Sequence, residues 1–250
     1  LGRVVKFPGP WAHGDPVGVQ RLGRPPTVGE HTEEVLAEAR DTEELEVSTS
    51  PPTLPFDGVT VLDFTWVYAG PFATRMLGYY GARVIRVESQ TRPDQVRTSG
   101  LSRDPDDPEG LENSQQWHSI NAHKESLQIN LKAPEARQVV LDLAAKSDSV
   151  VNAFSAGVLD RVGLSPAELM EVNPRLIVCS TTLFGQTGSL SPIPGFGNMG
   201  AATGGYYELT GWADRLPAGP FLAYTDATSP RLTAALLIAA LDHRERTGEG

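Results

Sequence analysis

The chain has 250 residues, enough for one large domain or two small ones, and carries 21 Lys and Arg against 31 Asp and Glu. The resulting net charge of −10 argues against a nucleic-acid binder, which shows a basic face, and 40% apolar residues give a packed core and exclude wholesale disorder. A single cysteine, Cys179, excludes an internal disulfide and fits a reducing, cytoplasmic setting.

Residues 1–54 read differently from the rest. Pro8, Pro10, Pro16, Pro25 and Pro26 interrupt any long element. A short helical pattern follows, Thr32 to Arg40, and then an acidic stretch, Asp41 to Ser50, ending in Pro51-Pro52, which has the composition of a linker. From Pro55 the pattern becomes regular. Val59 to Phe64 reads as a buried strand, and Ala69-Gly70-Pro71 opens a helix with Phe72, Met76 and Tyr80 as its apolar stripe. Gly81 ends that helix and Arg83–Val87 is the next strand, completing a βαβ unit with a right-handed crossover. After a polar loop, 89–116, the alternation resumes: strand 126–131, helix 134–146, strand 149–152, helix 166–172, strand 176–180. Ser165-Pro-Ala-Glu168 is a capping box with proline at the first helical position. A Gly-rich loop, 185–211, leads to a long helix at about 230–246, capped by Ser229-Pro230, with Leu232, Leu236, Ala239 and Ala240 along one side. Strands alternating with helices predict an α/β fold: an open, parallel, Rossmann-like sheet with helices on both faces. The first strand is not followed by G-x-G-x-x-G, so a dinucleotide site is not supported. No Cys/His cluster has metal spacing, and the longest aliphatic run, Ala234 to Leu241, is far short of the roughly 20 residues of a membrane span.

Open α/β sheets bind ligands beyond the carboxyl ends of their strands. The candidate segments are therefore 65–71, 88–92, 152–158, 181–200 and 224–230. The last places Asp226 three residues before the expected helix cap, where the positive end of the helix favours an ionised carboxylate. Such a group serves either as a covalent nucleophile or as a plain turn residue.

Longer stretches carry a resemblance. Asp57-Gly-Val-Thr-Val-Leu-Asp-Phe-Thr65, Ala69-Gly-Pro-Phe-Ala-Thr74 and Gly81-Ala-Arg-Val-Ile-Arg-Val-Glu88 resemble the opening of the class III CoA-transferases, the CaiB/BaiF family. The likeness continues through His123-Lys124-Glu-Ser-Leu127, Gly157-Val-Leu-Asp-Arg-Val-Gly163, Asn173-Pro-Arg-Leu-Ile177, Gly185-Gln-Thr-Gly188 and His243-Arg-Glu-Arg-Thr-Gly248, covering essentially all of 55–250. It implies an interlocked two-ring fold and transfer of CoA from an acyl-CoA to a carboxylic acid, with no permanently bound cofactor. It implies Asp226 as the nucleophile. It implies Val67, Ala69, Phe154 and Arg161 as CoA-binding positions and Tyr68 as a substrate neighbour. Ser89 stands where the family often has a basic residue, with Arg92 nearby. The family also contains a racemase with a His-Asp pair in a Pro-Gly-His-Asp context. The matching stretch here is Pro194-Gly-Phe-Gly197, and neither Phe196 nor Gly197 can move a proton. Phe196, Tyr206 and Tyr207 join Tyr68 in pointing to an apolar pocket, and His123 reads as structural or phosphate-facing.

Gly2-Arg-Val-Val-Lys-Phe-Pro8 and Arg24-Pro-Pro-Thr-Val-Gly-Glu-His-Thr-Glu-Glu-Val-Leu-Ala37 resemble the carboxyl end of the same family, ahead of the family's beginning. With Leu1 at the start and Gly248-Glu249-Gly250 at the end, the expectation is a piece of a tandem fusion: the tail of one repeat and a linker in 1–54, the CoA-binding opening of the next in 55–250. That arrangement allows either an interlocked homodimer or pairing of repeats within one chain, and this repeat is either the active half or a silent CoA-binding half.

Overall fold

The structure is a computed structural model, and it describes residues 23–41, 54–99, 106 and 110–250. The tail-like stretch 2–8, the early prolines up to Pro16 and all of the expected linker from Asp41 to Pro52 except Asp41 itself lie outside the described residues. The elements in chain order are α1 (Thr32–Arg40), β1 (Thr60–Phe64), α2 (Ala69–Tyr79), β2 (Arg83–Glu88), α3 (Gln95–Thr98), α4 (Gln115–Ile120), β3 (Glu125–Gln128), α5 (Ala136–Ala145), β4 (Ser149–Asn152), α6 (Val158–Arg161), α7 (Pro166–Val172), β5 (Ile177–Ser180), α8 (Gly197–Thr203), α9 (Tyr206–Thr210) and α10 (Tyr224–Thr247).

The five strands form one parallel sheet in the order β3-β2-β1-β4-β5. Side chains alternate between its faces, as pleating dictates. Leu62, Phe64, Ile85, Leu127 and Val150 pack with α1, α5, α6 and α7 on one face. Val61, Val84, Val151 and Ile177 pack with Leu77 of α2 and with Leu237 and Leu241 of α10 on the other. The expected α/β architecture is therefore the observed one. Gly81 ends α2 at φ 105°, a conformation that a Cβ would strain. The capping box forms as read: Ser165 Oγ accepts the Glu168 N–H at 3.2 Å, and Glu168 Oε2 accepts the Ser165 N–H at 2.9 Å.

The segment 23–41 belongs to this core. Val35 is fully buried in it. β3 is the edge of the sheet, and its unpaired backbone groups are taken up here. His31 N–H donates to the Ser126 carbonyl at 3.0 Å, and the Ser126 N–H donates to His31 Nδ1 at 3.1 Å. The Gln128 N–H donates to Thr32 Oγ1 at 2.9 Å. Arg83 ties β2 to both Glu38 of α1 and Glu125 of β3.

Four expectations need correction. The long helix begins at Tyr224, ahead of Ser229-Pro230, so Pro230 lies inside it. Contacts from Thr225 and Asp226 to Gly197 fix the extra turn, described below. The stripe Leu232, Leu236 and Ala239 is the exposed side, with Leu232 67% and Leu236 69% exposed, while Thr233, Ala234, Leu237 and Leu241 are buried. The stretch 234–241 of this helix is apolar all round, so its neighbours and not its own periodicity choose the buried face. In α2 the buried face is Gly70, Ala73, Thr74 and Leu77, which leaves Phe72, Met76 and Tyr80 half-buried. Finally, the polar loop contains α3 and α4, the Gly-rich loop contains α8 and α9, and β3 stops at Gln128.

Candidate active site

Strand order reverses at β1, which is flanked by β2 and β4, and a crevice opens there beyond the carboxyl ends. A cavity of about 490 Å³ occupies it, within the usual range for small-molecule sites. Its walls are the turn after β1 (66–70), Ala153 and Ser155 after β4, Thr181–Phe184 after β5, the loop and helix around 191–204, and Thr225, Asp226 and Ser229 of α10. Four of the five expected segments meet; 88–92 does not line the cavity.

Asp226 sits in the first turn of α10, not before its cap, and is half-buried. Its Oδ2 accepts the Gly197 N–H at 3.1 Å, and next to it Thr225 Oγ1 donates to the Gly197 carbonyl at 3.1 Å. A Cβ on Gly197 would lie 2.4 Å from the Asp226 nitrogen, so only glycine admits this approach of α8 to α10. Pro230 lacks an N–H, so the Asp226 carbonyl has no helical donor four residues on. Burial pushes the Asp226 carboxyl above its ordinary value, against the pull of the Gly197 N–H. The expected preference for the ionised form is thus opposed by burial.

Val67, Tyr68, Ala69, Phe196 and Asp226 are brought together around the cavity. Tyr68 leads into α2 with its ring 5.9 Å from that of Phe72, and Phe196 leads into α8, 49% exposed. Phe154 and Arg161 are outside the lining. Phe154 packs partly on the core through its side chain, while its carbonyl accepts Gln186 Nε2 at 3.0 Å. Arg161 is exposed at the end of α6. Tyr206 packs on Tyr224, with ring centroids 5.0 Å apart, and is not among the lining residues. His123 is exposed and its Nδ1 accepts the Gly23 N–H at 3.2 Å. Arg92 lies over the ring of Trp66, a cavity residue, at 5.4 Å.

Among the described residues the walls contain no Lys, Arg or His, and Leu183, Phe184, Ile193 and Pro194 add to their apolar character. These residues and Gly197's bond to Asp226 escape a reading by residue type, because they carry no chemistry of their own; only their place after β5 marks them. Behind the site, Lys124 is buried on Asp63 at 2.8 Å and on Thr74 and Asn121 at 2.9 Å each. Burial pulls the Lys124 ammonium down to about 8 in spite of Asp63. Among the described residues no three His, Cys, Asp or Glu gather into a metal site, and no helix is long and apolar enough to cross a membrane.

Comparison with known proteins finds a family and solved relatives. The sequence model of a family described as CoA-transferase family III matches residues 56–250. Succinyl-CoA:glutarate CoA-transferase of Mus musculus is 36% identical over 196 residues, 78% of this chain and 44% of the relative. Acetyl-CoA:oxalate CoA-transferase of Acetobacter aceti is 36% identical over 208 residues, 82% of this chain and 51% of the relative. Among solved structures, a CaiB/BaiF family protein from Brucella suis superposes with a TM-score of 0.72 at 36% identity, over 79% of this chain and 51% of that one. The chain thus spans about half the length of the relatives it matches.

Proposed function

The chain belongs to CoA-transferase family III, and on that premise we propose that the full-length protein moves CoA from an acyl-CoA donor to a carboxylic acid, with Asp226 as covalent nucleophile. The observation that carries this reading is the Asp226 carboxylate itself, half-buried, held by the Gly197 N–H and facing a cavity at the strand switch point. The named transferases among its relatives support the reaction class.

The chemistry follows from what the carboxylate can do. It attacks the thioester carbonyl, the C–S bond breaks, and an aspartyl–acyl anhydride and CoA thiolate result. The thiolate then attacks the aspartyl carbonyl, giving an aspartyl-CoA thioester and releasing the donor acid. The acceptor carboxylate reverses both steps on its own acyl group and regenerates Asp226. One thioester replaces another, so little free energy is needed, and the protein's task is to keep water from the activated carbonyl. In this reading the turn at Val67 and Ala69 lies along the thiol end of CoA, Phe154 and Arg161 meet its adenine and phosphate, and Tyr68 and Phe196 border the acyl group. Guanidinium suits phosphate, so Arg161 is the first cation to test.

We further propose that residues 1–54 close one family repeat and that 55–250 open a second. The order of the resembling motifs supports this, as does the seating of 23–41 on the β3 edge. An intramolecular or intermolecular pairing of repeats and a cytoplasmic location complete the reading. The deciding experiment is a panel of acyl-CoA donors and carboxylic acid acceptors with the wild type and Asp226→Ala. Transfer from at least one donor that vanishes in the variant supports the reading. Undiminished turnover in the variant makes this half a silent CoA-binding one.

A further inference from the structure

Val67 is β-branched, yet its φ is 67°. Such residues rarely adopt the left-handed region, and when they do the surroundings hold them there. Two other non-glycine residues among those described have positive φ, His123 and Leu222, but Val67 is the one that lines the cavity. The device that holds it is visible. Both carboxylate oxygens of Asp94 accept the Val67 N–H, each at 3.2 Å. Asp94 is 1% exposed and does not line the cavity. It also caps α3 by accepting the Val96 N–H at 3.1 Å, and it is paired with the guanidinium of Arg86. Arg86, itself fully buried, donates through its other nitrogen to the Thr65 carbonyl at 2.7 Å. One ion pair therefore grips the turn after β1 at two points, the carbonyl of Thr65 and the amide of Val67, two residues apart.

We propose that Asp94 is a positioning residue for the reaction: it holds Val67 in the left-handed conformation, so that the turn carrying Val67, Tyr68 and Ala69 is preformed for the CoA thioester. This rests on the functional reading above. Its logic is preorganisation. A turn that must be driven into a strained conformation when substrate arrives binds it less well than one already held there. Asp94 makes that conformation the resting one without touching substrate.

A double-mutant cycle in the full-length protein tests this, with Asp94→Asn and Val67→Gly singly and together. CoA itself is the probe, its affinity measured by calorimetry, and hydrogen exchange at the residue-67 amide is followed in parallel without ligand. Asp94→Asn is expected to speed exchange at Val67 and to weaken CoA at least fivefold. Glycine enters the left-handed region unaided. In the Val67→Gly background the same substitution is therefore expected to weaken CoA less than twofold. An equal loss in both backgrounds overturns the proposal, because Asp94 then acts only through Arg86 or the α3 cap. Unchanged affinity in Asp94→Asn overturns it as well. If that variant does not fold, Asp94→Glu keeps the charge beside Arg86 while misplacing it from Val67, and the same background dependence is expected. A wild type that binds no CoA defeats the functional reading itself and the proposal with it, an outcome distinct from equal losses in a protein that binds.

Discussion

Gly197 and Asp226, 29 residues apart in sequence, meet backbone to side chain between two helices: the Gly197 N–H donates to Asp226 Oδ2 at 3.1 Å. The contact fixes one carboxylate oxygen of a residue that lines the cavity. It also requires that position 197 carry no side chain, since a Cβ would meet the Asp226 nitrogen at 2.4 Å and the Ala223 carbonyl oxygen at 2.8 Å. Both obstacles are backbone, and cannot swing aside.

Gly197→Ala is therefore expected to push α8 and α10 apart. Forced overpacking of this kind costs about 1–3 kcal/mol, read as a lower urea midpoint. The lengthened bond no longer favours the ionised carboxylate, so the acid limb of the activity profile moves to higher pH. Unchanged stability together with an unchanged limb would show that the approach is not needed.

The pH dependence of the wild type has a definite sign. Burial raises the Asp226 carboxyl, more than its one N–H bond lowers it. On the proposed mechanism transfer requires the carboxylate, so kcat/KM should climb with pH along a limb lying above the ordinary carboxylate range. The folded carboxyl holds its proton more tightly than the unfolded one. The stability linked to it is complete below the ordinary pKa and is lost as pH rises through the raised one. Asp226→Asn has no such titration, so its melting temperature should gain on the wild type as pH rises through that window. A difference that does not vary with pH contradicts this.

Arg161 is exposed, and its proposed partner is a CoA phosphate. A hydrogen bond to a charged group is worth about 1.5–3 kcal/mol, so Arg161→Ala should raise KM for the thioester roughly 10- to 100-fold. It should leave kcat nearly unchanged, because the contact is equal in ground and transition states. Rising salt should erode the difference. A fall in kcat at constant KM would assign Arg161 another role.

Val35 tests the seating of the first segment. It is fully buried between α1 and the main sheet. Val35→Ala removes two methylene equivalents and leaves a gap, a loss of about 2 kcal/mol. Because 23–41 shares the core of the sheet, unfolding should stay a single transition at lower urea. A separate early transition would mean that the segment is only docked.

Where local chemistry decides, the sequence was readable. The βαβ unit from Val59 to Val87, the capping box at Ser165 and the cavity at the strand ends all follow from periodicity, proline placement and the switch-point rule. Where partners decide, it misled. Ser229-Pro230 has the look of a helix start, but tertiary bonds from Thr225 and Asp226 to Gly197 carry the helix back to Tyr224. Leu232 and Leu236 form a plausible buried stripe, yet α2 and the sheet take Leu237 and Leu241 instead. The Arg86–Asp94 grip on Val67 was invisible for a related reason: neither charge marks itself as buried, and the strained φ exists only in three dimensions.

The most direct measurement of the central claim is mass spectrometry of the full-length protein after incubation with its acyl-CoA donor, with hydroxylamine to trap the activated carboxyl. The account predicts a hydroxamate on Asp226 and on no other residue, formed only when acyl-CoA is present. Modification at a different residue, or none in a protein that turns over, would contradict it.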